Sequence, residues 1–191
     1  SLKAVSTNDE FAFTKEKLVK TIFLDRDGVI NREVGYLHKI KDFKFIDGIF
    51  KTCRHFQALG YSLIIVTNQS GIARGYYTED DFYHLTKWML VQFANEDVNI
   101  LDIFFCPHGP GSSCKCRKPQ PGMILEARDK HSINMQDSWL IGDKEVDIGA
   151  ANAAGINNTI LVKTGHSIDE RSTKASFILE SINNCSEIVT V

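Results

Sequence analysis

The chain has 191 residues, with 22 Lys and Arg against 24 Asp and Glu, for a formal net charge of −2. At about 150 residues per domain the length fits a single domain, and 43% hydrophobic with 24% charged residues excludes a disordered or fibrous chain. The near-neutral charge argues against a bulk nucleic-acid or anionic-membrane binder, and no apolar run approaches the roughly 18 residues of a membrane span.

Residues 1–20 are mixed and polar, and read as an N-terminal extension to a domain spanning 21–191. They hold no apolar stretch of the kind a secretory signal needs, so the cytoplasm is the expected location. Thr21 to Asp25 is a short apolar run and predicts a buried strand. Ile49, Phe50, Cys53, Phe56 and Leu59 recur at helical spacing, with Asp47 as the expected N-cap and Gly60 as the stop. Tyr61 to Thr67 predicts a second strand. Thr78-Glu79-Asp80-Asp81 resembles a capping box, and Phe82, Leu85, Met89 and Phe93 follow on one helix face. Leu101 to Phe105 is a third strand, and Pro121 opens a helix to about Lys130. Ser138 to Gly142, a helix over Glu145 to Ala154, and Thr159 to Lys163 continue the alternation. Phe177-Ile178-Leu179 adds a sixth strand with a short helix after it. Strands alternating with helices imply a three-layer, Rossmann-like α/β fold with a parallel sheet covered on both faces. In such sheets ligands bind beyond the carboxyl ends of the strands.

The residues at those ends carry the chemistry. Asp25 and Asp27 follow the first strand, and in extended backbone residues i and i+2 face one side. Two close carboxylates favour a divalent cation between them or a raised pKa on one. Taken alone, Asp25-Arg26-Asp27-Gly28 reads equally well as a turn with solvated acids. Thr67-Asn68-Gln69-Ser70 after the second strand can hold an anionic oxygen, or simply form a polar turn. Asp143, with Lys144 beside it, adds a carboxylate after the fourth strand, where it could also serve as a helix N-cap. Arg117 and Lys118 bring two cations before the third long helix. Together these groups on one rim suit Mg²⁺ and a phosphate ester.

A separate cluster contains Cys106, His108, Cys114 and Cys116. Three thiols and one imidazole in eleven residues make a closed tetrahedral set for structural Zn²⁺. The loop between them, residues 109–113, has almost nothing with which to build a core, and a metal would substitute for one. Free thiols or a redox pair are the alternatives. Cys53 and Cys185 read as packing, and His38, His55, His84, His131 and His166 lack ligand spacing.

The four strand-end segments, in order, resemble the haloacid dehalogenase superfamily of phosphohydrolases. Phe23 to Asn31 matches its first motif, Thr67 the second, Lys118 the third, and Gly142 to Asp147 the fourth. The resemblance implies Asp25 as nucleophile on phosphorus and Asp27 as general acid and then base. It implies Mg²⁺ on Asp25, the backbone carbonyl of Asp27, and Asp143. Thr67 and Lys118 would bind phosphoryl oxygens, and Lys144 would position Asp25 or a phosphate. The zinc loop followed by Arg117-Lys118-Pro119 resembles the branch of heptose-bisphosphate and histidinol-phosphate phosphatases. The segments around Gly35-Tyr36-Leu37-His38 and Asn68 to Gly75 favour the heptose side, with release of a 7-phosphate. There Glu33, Gly35 and Tyr36, then Thr67, Asn68, Gln69 and Ser70, then Arg117 and Lys118 are implied substrate contacts. Zinc would hold Arg117 and Lys118 at the rim.

About eighteen residues separate Gly28 from Asp47, too few for the inserted cap domain of many relatives. Specificity then falls to loops. Val29 stands where many relatives have Thr, and the zinc loop is short. The expected partner is a small sugar phosphate, with no nucleic acid and no membrane, and the expected state is a monomer. A zinc-organised binding module without catalysis is the reading from another class, and the presence of Asp25, Asp27, Lys118 and Asp143 together speaks against it.

Overall fold

A computed structural model describes residues 17–191. Residues 1–16 of the expected extension lie outside the described residues. Val19 and Lys20 are already tied in: Val19 exchanges backbone hydrogen bonds with Ser132 and Asn134, and the Lys20 carbonyl accepts from Ser62.

Six strands form one sheet: β1 (Thr21–Leu24), β2 (Ser62–Asn68), β3 (Ile100–Cys106), β4 (Trp139–Gly142), β5 (Asn158–Val162) and β6 (Phe177–Leu179). Their order is β3-β2-β1-β4-β5-β6, and every neighbouring pair is parallel. The helices are α1 (Ile49–Ala58), α2 (Ser70–Ala73), α3 (Glu79–Asn95), α4 (Gly122–His131) and α5 (Glu145–Ala153). Alternate strand residues point to opposite faces, which builds two cores. Ile22, Leu24, Leu63 and Ile65 pack with Phe56 of α1 and Leu85, Met89 and Phe93 of α3. Phe23, Ile64, Val66 and Leu140 pack with Met123 and Ile124 of α4 and Ile148 of α5. This is the expected three-layer α/β fold, and every strand is where the apolar runs put it.

One cap differs from expectation. Gly48, not Asp47, is the N-cap of α1, with φ +85° and no side-chain cap. Its backbone also passes the Asn183 side chain too closely for a Cβ, so tertiary contact overrides the local capping preference. Thr78 and Asp81 form the expected capping box of α3. Cys53 and Cys185 are buried, and burial pushes both thiols up to about 12.

Strand order reverses direction between β1 and β4, so a crevice opens beyond their carboxyl ends. Asp25 leaves β1 there, and Asp143 leaves β4. Residues 25–48 hold only bridges at Asp27, Asn31 and Phe45 and a 3₁₀ turn at Ile40–Asp42. No cap domain interrupts the described residues at this point. No helix among them is long and apolar enough to cross a membrane.

Candidate active site

The floor of the crevice is one buried lysine among three buried carboxylates. Lys118 Nζ lies 3.0 Å from Asp25 Oδ1 and 2.6 Å from Asp147 Oδ1, and it donates to the Val66 carbonyl at 2.8 Å. All three of its donors are thereby directed. Its backbone is fixed to the end of β2 by a reciprocal pair with the Asn68 amide, at 3.1 and 3.3 Å. Although burial opposes its charge, Asp147 and then Asp25 hold the Lys118 ammonium above its ordinary value.

Asp143 is fully buried. Gly28 and Gly165 make room for it: a Cβ on Gly28, which has φ +86°, would stand 2.3 Å from Asp143 Oδ2. Burial, followed by the charge of Asp147, pushes the Asp143 carboxyl up to about 7. The Asp25 carboxyl is also held well above the carboxylate range, by burial first and then by Asp147, against the pull of Lys118.

Asp147 was visible in the sequence only as the last residue of Gly142 to Asp147. In the structure it organises the corner. Its Oδ2 accepts from the backbone N–H groups of Asp143 and Lys144 at 3.1 Å each, while Oδ1 takes Lys118. The available signal was its spacing: four residues beyond Asp143, it falls in the first turn of α5, facing the N-terminal donors.

These carboxylates fit a hard cation. Asp25, Asp143 and Asp147 place oxygens within 4.8 Å of one another, and Asp143 Oδ1 is buried without a partner. One lysine does not balance three acids, and a divalent ion would. In the folded protein without Mg²⁺, Asp143 keeps its proton up to about pH 7, whereas in the unfolded chain it loses it near pH 4. The folded state binds more protons in that window, so stability should fall as pH rises from about 4 to 7. Added Mg²⁺ should remove the fall, because it favours the ionised carboxylates. Melting temperature against pH, with zinc retained and Mg²⁺ withheld or supplied, checks this; a flat metal-free profile would contradict it.

A cleft of about 450 Å³ opens above this floor. Asp27 lines it, as do Glu33, Gly35 and Tyr36 from the loop after β1. Asn68, Gln69 and Ser70 contribute from the end of β2, and Arg117, Lys118 and Lys144 stand on the other side. Thr67 does not line it: it is buried beneath Gln69, whose Nε2 donates to Thr67 Oγ1 at 2.9 Å. Asp27 turns away from the acidic cluster. Its carboxylate accepts from Arg26, from Asn31 Nδ2 at 2.9 Å and from Gln69 Nε2 at 3.3 Å.

Sequence reasoning missed Tyr77 and His166 in this cleft and gave Arg74, within the Asn68 to Gly75 segment, no role of its own. Tyr77 donates to Gln69 Oε1 and stacks on His38, with ring centroids 5.1 Å apart. Arg74 sits over the Tyr36 ring, 5.7 Å from its centroid. His166 had no ligand spacing in the sequence, yet its Nδ1 meets Asp143 Oδ2 at 2.5 Å. It comes from the loop after β5, a neighbour only once the sheet forms.

The four zinc-loop residues converge. Cys106, His108, Cys114 and Cys116 offer ligand atoms within 4.8 Å of one another, and all five cysteines are free. Tetrahedral zinc separates two sulfurs by about 3.8 Å and sulfur from nitrogen by about 3.6 Å. Cys106 and Cys114 sulfurs stand 3.8 Å apart, and His108 Nδ1 lies 3.4 Å from Cys106 and 3.3 Å from Cys116. The Cys106 and Cys116 sulfurs, at 2.6 Å, must move apart to admit an ion. The loop reaches the cleft directly, since Arg117 and Lys118 follow Cys116 and Arg117 Nη1 donates to the His108 carbonyl at 3.3 Å. Replacing Cys116 by Ser should therefore lower zinc content, stability by several kcal/mol, and substrate affinity together. Metal analysis, thermal melting and KM on one preparation check the coupling; wild-type KM in zinc-free protein would break it.

Known proteins resemble this chain in sequence and fold. A HAD-hydrolase-like family model matches residues 115–185. The D-glycero-beta-D-manno-heptose-1,7-bisphosphate 7-phosphatase of Pasteurella multocida (strain Pm70) is 46% identical over 177 residues, covering 89% of this chain and 96% of its own. The D-glycero-alpha-D-manno-heptose-1,7-bisphosphate 7-phosphatase of Photorhabdus laumondii is 49% identical over 164 residues, covering 82% and 90%. Among solved structures, the D,D-heptose 1,7-bisphosphate phosphatase of B. bronchiseptica, complexed with magnesium and phosphate, superposes with a TM-score of 0.78 at 28% identity, covering 89% of this chain and 97% of that one. With the fold, the switch-point carboxylates and this extent of identity, the chain belongs to the heptose-1,7-bisphosphate 7-phosphatase family of haloacid-dehalogenase-like hydrolases.

Proposed function

We propose that the protein hydrolyses the 7-phosphate of D-glycero-D-manno-heptose 1,7-bisphosphate, on the route to nucleotide-activated heptose, through an aspartyl-phosphate on Asp25. The observation that carries this reading is the floor of the cleft: Asp25 held by Lys118 at 3.0 Å, beside Asp143 and below Asp27. The identity to the relatives, over nearly their whole length, supports the choice of substrate.

Asp25 attacks phosphorus, and the sugar oxygen leaves with the proton of Asp27. Water then attacks the phosphoryl group and returns a proton to Asp27, which frees Asp25 and inorganic phosphate. Lys118 keeps the nucleophile oriented and faces the charge that spreads over the phosphoryl oxygens. Thr67, whose Oγ1 accepts from Gln69 and which does not itself line the cleft, would have to be uncovered to bind the same oxygens. Asp25, Asp143 and the Asp27 carbonyl would hold Mg²⁺, which when bound supplies the charge that lets anionic Asp25 meet an anionic substrate. Glu33, Gly35 and Tyr36 would read the sugar, with Arg117, Lys144 and Ser70 around the remainder of the substrate. The Cys/His set would hold structural Zn²⁺, and Arg117 and Lys118, which follow Cys116, would thereby be kept in register. The same reading places the enzyme in the cytoplasm as a monomer, with no nucleic-acid or membrane partner.

Phosphate release across both heptose 1,7-bisphosphate anomers, histidinol phosphate and simple sugar phosphates tests the substrate. A heptose 1,7-bisphosphate should exceed the others by at least about 100-fold in kcat/KM. Equal rates on all of them would remove the heptose assignment and leave a phosphatase.

A further inference from the structure

Arg26 lies between the two aspartates of the first motif, and it is the largest fully buried side chain, 1% exposed. It stands two residues past the end of β1, in the bend that leads the chain off the strand. From there its guanidinium curls back. Nε and Nη2 donate to Asp27 Oδ1 at 3.2 and 3.0 Å, and Nη2 also reaches Oδ2 at 3.1 Å. Nη2 further donates to the Leu37 carbonyl at 3.0 Å, in the loop that lines the cleft with Glu33, Gly35 and Tyr36. The Phe82 ring of α3 packs 5.9 Å away. The Arg26 carbonyl closes the turn by accepting from Val29, Ile30 and Asn31, and Asn31 Nδ2 adds a second grip on Asp27 Oδ1 at 2.9 Å.

The two oxygens of Asp27 are thus unequal. Oδ1 takes three donors, whereas Oδ2 takes one Arg26 N–H and a long bond from Gln69. We propose that Arg26 is a positioning residue for leaving-group protonation: its fork fixes Asp27 so that Oδ2 carries the proton, and it joins that oxygen to the substrate loop through the Leu37 carbonyl. This rests on the reading of Asp27 as the general acid. Lysine cannot replace the fork, because a single ammonium lacks the planar pair of donors that binds one carboxylate and a carbonyl together.

The test compares two leaving groups. A sugar oxygen needs a proton to depart, whereas p-nitrophenolate does not. The ratio kcat/KM covers binding and the first phosphoryl transfer and excludes hydrolysis of the phosphoryl-enzyme. In Arg26→Lys, kcat/KM for heptose 1,7-bisphosphate should fall about 100-fold, and that for p-nitrophenyl phosphate by less than about threefold. Asp27→Asn should show the same contrast, and Arg26→Lys should add nothing to it in the double variant. Equal losses on both substrates in Arg26→Lys, while Asp27→Asn keeps the contrast, would overturn the role of Arg26 and leave Asp27 as the acid. Equal losses in Asp27→Asn would overturn both. If Arg26→Lys melts below the assay temperature, Arg26→Gln keeps a donor towards Asp27 and carries the same comparison.

Discussion

Replacing Asp25 by Asn is expected to abolish turnover while leaving the fold intact. The amide keeps the shape of the carboxylate, so β1 and the buried floor retain their packing. It is a poor nucleophile towards phosphorus, so the displacement that splits hydrolysis into two steps is lost. The loss should reach at least about 10⁴-fold in kcat, about 5.5 kcal/mol of barrier. Stability should move little. The change removes one of three mutually repelling carboxylates as well as one partner of Lys118, and these effects oppose each other. Activity and melting temperature measured together separate the chemistry from the fold. A variant with near-normal rate would remove Asp25 as the nucleophile.

Lys118→Met is expected to fail differently, in fold and function at once. Lys118 is 4% exposed and bridges Asp25 and Asp147 at 3.0 and 2.6 Å. Removing one side of a buried ion pair leaves uncompensated charge, which costs about 3–5 kcal/mol. Here two carboxylates lose their cation, and Asp143 stands beside them. The protein should melt lower without Mg²⁺ and recover part of the loss as Mg²⁺ is raised. Activity should fall at least about 100-fold even at saturating Mg²⁺, because no ammonium faces the transferring phosphoryl group. Thermal melting across a Mg²⁺ titration, with kcat at saturation, checks both parts. A variant as stable as wild type without Mg²⁺ would contradict the charge balance described for the floor.

Much of this was legible in the sequence. The apolar runs from Thr21 to Leu24 and from Leu63 to Val66 read as strands buried on both faces, and they are. Their carboxyl ends, with that of the run from Ser138 to Gly142, therefore named Asp25, Thr67 and Asp143 as rim residues. The Cys/His spacing named four ligands that the fold does bring together. What stayed hidden depends on contacts between loops far apart in the chain. His166 reaches Asp143 from 23 residues away, and only because β5 lies beside β4. Tyr77 orients Gln69 only because α2 turns the chain back onto the end of β2. Arg26 carried no assignment of its own between the two acids, yet it is buried against Leu37 and Phe82. Nothing local distinguishes those outcomes. Arg26 follows β1 in a bend, and what covers it is set by the loop after β1 and by α3.

The central claim is that the phosphoryl group passes through Asp25. In Asp27→Asn the base for the second displacement is absent, so a phosphoryl-enzyme should persist. Reaction of that variant with p-nitrophenyl phosphate labelled at phosphorus, acid quenching and peptide mapping should place the label on the peptide that contains Asp25. Release of p-nitrophenol in a single turnover with the label on another residue, or on none, would contradict the account.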